Sequence, residues 1–111
     1  MENEERLLPL GSIVYLNGGV RKHIIIARGL QVNINGEKYY FDYGAANYPE
    51  GLMGDRAIYF QHEDISKVIF EGYTDEDDEV MLKNIKEGIS QMTIKKADVK
   101  ALSAQMQQET V

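Results

Sequence analysis

A chain of 111 residues, 43% of them hydrophobic, has enough material for one domain with a modest core and too much to stay disordered. Its net charge of −6 sets it against polyanions such as DNA. The absence of cysteine removes disulfides, thiolate chemistry and cysteine-based zinc sites.

The opening stretch MENEERLLPLG places acids ahead of a very short apolar run, so residues 1–6 are expected to be a flexible lead-in and not a secretory signal. Apolar runs such as HIIIA fall far short of membrane-spanning length. A cytoplasmic protein without membrane insertion is the expectation. Residues 7–73 read as short strands separated by glycine turns. Ser12–Leu16 predicts a strand, and Asn17-Gly18-Gly19 a turn, because asparagine and glycine tolerate positive φ. Lys22–Ala27 is rich in β-branched residues, as a buried strand would be. Leu30–Ile34 and Glu37–Tyr43 predict two more strands joined by Asn35-Gly36, a strong hairpin signal. Residues 44–56 read as a loop broken by Pro49, Gly51 and Gly54. Ala57–Gln61 and Ile65–Glu71 return to strand.

The period then changes. Thr74 predicts a helix N-cap, with Asp75, Glu76, Asp77 and Asp78 in a first turn whose dipole favours anions. Val80, Met81, Ile85, Ile89 and Met92 recur at helical spacing, and Gly88 marks a weak point near the helix end. Residues 93–111 carry a thinner apolar stripe and predict a helical tail. The expected architecture is α+β: a small antiparallel β-barrel or bent sheet over 7–73, followed by a C-terminal helix and helical tail over 74–111, in one compact domain.

Chemistry-bearing clusters are few. His62-Glu63-Asp64 could be read as a general base or a metal site. Three consecutive strand residues cannot converge on one ion, since neighbouring side chains diverge. No second histidine cluster completes a ligand set, for His23 stands apart. A polar turn, with Asp64 or Glu63 accepting from local amides, is the simpler account. Gly18 and Gly19 precede a strand and not a helix N-terminus, so a hairpin turn explains them better than a phosphate cradle. The many tyrosines could stack bases, but the basic residues are scattered and the charge is wrong for nucleic acid. Tyrosine also suits a half-buried sheet layer or a protein-binding surface.

The strings LLPLGSIVYLNGGVRKHIIIARG, YFDYGAANYPEGLMGD and IYFQHEDISKVIFEGYTDEDDE, in that order, resemble a family of small proteins from Gram-positive bacteria of the Firmicutes type, domain-of-unknown-function family 4176. The resemblance covers about residues 7–88. It implies a protein encoded beside LXG-type toxins and small helical WXG-like proteins of the type VII (Esx) secretion pathway. It implies no enzymatic activity, catalytic residue, cofactor or metal. The expected function is therefore a non-enzymatic adaptor or targeting chaperone that binds an LXG toxin, at its N-terminal region, for export. Alternatives are an immunity protein for the toxin's catalytic domain, a small-barrel nucleic-acid binder and a hydrolase. Co-export with the toxin and a homo-oligomer through sheet edges stay open. The candidate partner-contact residues are Tyr43, Tyr48, Pro49, Glu50, Leu52, Met53, Tyr59, His62, Glu63, Asp64, Met81 and Ile85.

Overall fold

The computed structural model describes residues 7–91 and 95–96. Five antiparallel strands come first: β1 Ile13–Leu16, β2 Lys22–Ile34, β3 Glu37–Tyr48, β4 Ile58–Phe60 and β5 Ile65–Phe70. Helix α1, Glu76–Ser90, follows, and a two-residue strand β6, Lys95–Lys96, pairs parallel to β3. The sheet order is β4-β3-β2-β1-β5, with β6 beside β3. The two outer strands of that path, β4 and β5, are joined by only Gln61–Asp64, of which His62–Asp64 form one 3-10 turn. Such a link reaches about 14 Å. The edges of a flat five-stranded sheet stand about 19 Å apart. The sheet must therefore curl, and it is the bent sheet of the sequence reading, left open and not closed into a barrel.

Two boundaries differ from expectation. β2 is one strand where two were predicted. Ile25 pairs with Ala45 and Ala27 with Gly44, so Ile26 is the extra residue of a bulge. Gly29, in the gap between those two predicted strands, lies inside the observed strand at φ +58. A side chain there would have no room, since a Cβ would come within 2.8 Å of Ile85 Cγ2. β3 likewise runs through Gly44–Tyr48, the first part of the predicted loop. Its residues Tyr40–Ala46 are buried without alternation, and the small side chains of this stretch are what let its neighbours close in. Even a methyl group at Gly44 would touch Ala27 Cβ at 3.4 Å. The Asn35-Gly36 hairpin is present as read: Asn35 and Gly36 take φ +54 and +85, between the pairs Ile34–Glu37 and Asn33–Lys38.

The core gathers Leu7, Val14, Ile25, Tyr43, Ala45 and Phe60, with Leu82 and Ile85 of α1 packed against it. The helix starts one residue later than predicted. Asp75, not Thr74, is its N-cap: the carboxylate accepts from Asp78 N at 3.1 Å, and a charged acceptor suits the positive helix end better than a hydroxyl. Thr74 Oγ1 instead donates to Asp78 Oδ2. The face turned inward is Asp78, Leu82 and Ile85, spaced i, i+4 and i+7, while Val80, Met81 and Ile89 of the predicted stripe stay exposed. That orientation follows from one contact. Arg28 Nη2 of β2 meets Asp78 Oδ1 at 2.7 Å with both side chains nearly buried, and Arg28 Nη1 also donates to the Leu8 carbonyl. Met92, residues 1–6 and most of the predicted helical tail lie outside the described residues; within the tail, Lys95–Lys96 are strand.

Breaking a buried ion pair from one side costs about 3–5 kcal/mol, because the other charge is left without a partner. Arg28→Leu should lower the unfolding free energy by that amount in urea titration. The double variant Arg28→Leu, Asp78→Leu should recover much of the loss. Equal destabilisation by the single and double variants would show that the pair is not what seats α1.

Candidate functional site

The polar cluster around His62 is assembled by the link between β4 and β5. Gln61 is fully buried and works like a strand segment. Its Oε1 accepts from Asp42 N at 2.9 Å and its Nε2 donates to Tyr40 O at 2.8 Å. It thereby satisfies the edge of β3 between the segment paired with β4 (Tyr43–Ala45) and the segment paired with β6 (Tyr39–Tyr40). Asp64 Oδ2 accepts from Gln61 N at 2.8 Å, the local amide contact expected of this turn. His62 N donates to Asp42 Oδ2 at 2.8 Å. Asn17, in the β1–β2 turn, donates to the carbonyls of Glu63 and Asp64 and ties the turn to the rest of the sheet.

His62 Nδ1 lies 2.7 Å from Tyr43 Oη. The Leu8 amide donates to that oxygen at 2.9 Å, and the imidazole tautomer sets which partner donates between Tyr43 and His62. A histidine–tyrosine pair at this distance has the form of an acid–base dyad. Tyr43 is 0% exposed, so of the two only His62 reaches the surface. Burial pushes the Tyr43 hydroxyl well above the ordinary tyrosine range, only partly offset by the Leu8 amide. Tyr40 is raised in the same way by burial, with the Asp42 charge adding to it. Both phenols therefore stay protonated. Among the described residues no group of three or more histidine, aspartate or glutamate side chains is placed to hold a metal ion.

The partner-contact candidates are dispersed over the core, an exposed loop, a groove beside α1, a half-buried ring on β4 and the His62–Asp64 turn. Tyr43 is a core residue and offers no surface; its hydroxyl serves Leu8 and His62. Tyr48 ends β3, and Pro49, Glu50, Leu52 and Met53 form the exposed loop after it, with Leu52 and Met53 exposed by 52% and 61%. This loop borders a hollow of about 340 Å³ lined by Arg21, Asn47, Glu50, Gly51, Met53 and Arg56. Arg21 pairs with Glu50, and that hydrogen bond holds the Glu50 carboxyl below its usual range. Lys22 sits over the Tyr48 ring. Met81 and Ile85 belong elsewhere, to an open groove of about 270 Å³ between α1 and the sheet. Its floor is Gly29, Gln31 and Tyr40, and its wall is the run from Met81 to Ile89 on α1. In the β2–β3 register Tyr48 lies opposite Lys22 and Tyr40 opposite Gln31, nine residues or about 30 Å of strand apart. Loop and groove are thus separate surfaces. Tyr59 is half-buried with its ring 5.5 Å from that of Phe41, and His62, Glu63 and Asp64 belong to the turn already described.

The family model described as Domain of unknown function (DUF4176) matches residues 7–81, more than half of the chain. The chain belongs to the DUF4176 family. No curated protein and no solved structure gives a significant match to it. The matched span contains all five antiparallel strands, the Gln61–Asp64 link and the first turns of α1. In this DUF4176 chain the Arg28–Asp78 pair and the Gln61 network both fall inside the match, while most of the groove's helical wall lies beyond it. The groove floor was missed in the sequence because Gly29, Gln31 and Tyr40 come from two strands. The Met81, Ile85, Ile89 spacing was its visible trace. No helix among the described residues is long and apolar enough to cross a membrane.

His23 gives the fold a pH dependence. Burial holds its ring below the ordinary value of 6.5, the Arg21 charge acts in the same direction, and Asn47, opposite it in the register, offsets part of this. The unfolded chain therefore binds the proton better than the folded one. The stability contributed by the neutral ring is fully present above pH 6.5 and is lost as pH falls from there through the folded value. The melting temperature should decline between about pH 7.5 and 5.5. His23→Gln should flatten that decline, and superimposable profiles for the two proteins would exclude His23 as its source.

Proposed function

We propose that this protein is a non-enzymatic adaptor that binds the N-terminal region of an LXG toxin and presents it to the type VII secretion machinery, with the groove beside α1 as the contact surface. The observation that carries this reading is a division of labour among side chains. The groups able to do chemistry, His62, Asp64, Asp42 and Tyr43, are engaged in holding the sheet together. The large apolar groups Met81 and Ile89 are left exposed along an open, mostly apolar groove. Methionine is adaptable in packing, and a groove between a helix and a sheet accepts the apolar stripe of a second helix. A toxin region that is helical, or a small helical WXG-like protein travelling with it, has that form. The acidic surface formed by Glu76, Asp77 and Glu79, exposed at the start of α1, adds charge selectivity at one end of the groove. Binding of this kind would take place in the cytoplasm before export.

Co-purification tests it. The tagged protein is expressed with the N-terminal or the C-terminal half of the LXG toxin encoded beside it. Capture of the N-terminal half is expected, and Met81→Gln with Ile89→Gln should reduce it at least about tenfold while circular dichroism shows the fold retained, since both side chains are partly exposed. Capture of the C-terminal half alone would replace this reading with an immunity protein. Capture of neither half would remove the toxin as a partner.

A further inference from the structure

We propose that β5 is a self-association surface: two copies of the chain pair their β5 strands antiparallel about Ile69 and join their sheets into one. β5 is the outer strand of the sheet beyond β1, and among the described residues no strand pairs with its far side. Its apolar residues are unusually uncovered for a strand of such composition. Val68, Ile69 and Phe70 are 44%, 41% and 57% exposed. Leu10 and Tyr73 are exposed beside them, since Gly72 lies against the Leu10 carbonyl and donates to Ser12 Oγ. An apolar edge of this kind is a template for another strand.

The sequence of the edge specifies which strand. In KVIFE, residues 67–71, antiparallel pairing about Ile69 sets Lys67 opposite Glu71 of the second copy and Glu71 opposite its Lys67. Val68 then meets Phe70, Phe70 meets Val68, and Ile69 meets its own equivalent. Val68, Ile69 and Phe70 each gain an apolar neighbour, and the two charges at each end are opposite in sign. Among the described residues neither Lys67 nor Glu71 makes an ion pair within its own chain. A lysine on an edge strand ordinarily blocks pairing. Here it selects a single register, because a shift by two residues would bring Lys67 against an apolar residue instead of a carboxylate. Ile69 is also the extra residue between Val68 and Phe70 in the ladder to β1, so that ladder leaves it unpaired. The twofold arrangement uses up both β5 edges and closes at two copies.

The test is the oligomeric state of the full chain by sedimentation equilibrium, with circular dichroism to confirm that each variant is folded. Wild type should be a dimer. Lys67→Glu and Glu71→Lys should each set like charges opposite one another at two places and raise the dimer dissociation constant at least about tenfold. The double variant K67E/E71K restores opposite charges and should return the constant to near the wild-type value. A wild-type chain that stays monomeric at about 100 µM would overturn the proposal; the β5 edge would then be left to another segment of this chain or to a different protein. A dimer that ignores the single variants, or one not rescued by the double, would place the interface elsewhere.

Discussion

The buried pair between Arg28 and Asp78 is the contact on which the arrangement of this protein turns. It joins the middle of the longest strand to the first turn of the only long helix among the described residues. Two charges removed from water gain little net stability from each other, because desolvation cancels much of their attraction. What such a pair supplies is position. Many rotations of α1 could bury some apolar residues, for its apolar side chains are spread around it. Only one rotation places Asp78 on Arg28, and that rotation sends Leu82 and Ile85 inward and leaves Met81 and Ile89 outside. The same guanidinium holds the Leu8 carbonyl, so the segment leading into the sheet is fixed by the residue that fixes the helix. Gly29, next in sequence, then lets Ile85 come against the strand backbone. The groove is a consequence: its floor is the strand beside that close contact, and its wall is the part of α1 that the contact cannot pull further in.

A second constraint comes from the edges of the sheet. β3 is longer than either strand on its outer side, and part of its edge has no strand to pair with. A buried backbone amide or carbonyl left in that state costs as much as a lost hydrogen bond. Gln61 supplies both a donor and an acceptor from one side chain and fills the gap. The turn that positions Gln61 also brings β5 round to the other side of the curled sheet. His62, Asp64 and Asp42 hold this turn, which gives its dense polar sequence a structural role.

Local signals were legible in the sequence where local forces decide. Asn35-Gly36 announced its hairpin because φ must be positive at both positions, and the acidic run announced the start of α1 because the helix dipole selects anions. The failures share a cause. Gly29 falls in the gap between two predicted strands and GAAN in the loop assigned from Pro49, Gly51 and Gly54, whereas the fold uses the small size of Gly29 and Gly44 where Ile85, Ala27 and Tyr59 press close. That need belongs to the neighbours and is invisible along the chain. Tyr43 was placed among surface tyrosines because its type favours interfaces; its burial depends on Leu8 and His62, 35 and 19 residues away, satisfying the hydroxyl. Asp75 caps the helix in place of Thr74, whose hydroxyl donates to Asp78, the residue held by Arg28. The groove could be seen only as a stripe on α1, because its other half is contributed by β2 and β3.

The two proposed surfaces are compatible by geometry. β5 lies at one edge of the sheet, and the groove lies over β2 and β3, with β1 between them. A pair of chains joined at β5 would keep both grooves open and hold them at a fixed separation. A partner with two suitable helical segments would then bind the second with the first already in place, and its apparent affinity would exceed that of either groove alone. The advantage requires that the joint be rigid, which a continuous sheet provides and a flexible linker does not. An adaptor that must retain a partner in the cytoplasm yet release it for export gains from this arrangement, because each contact can be weak and separately reversible while the pair together holds.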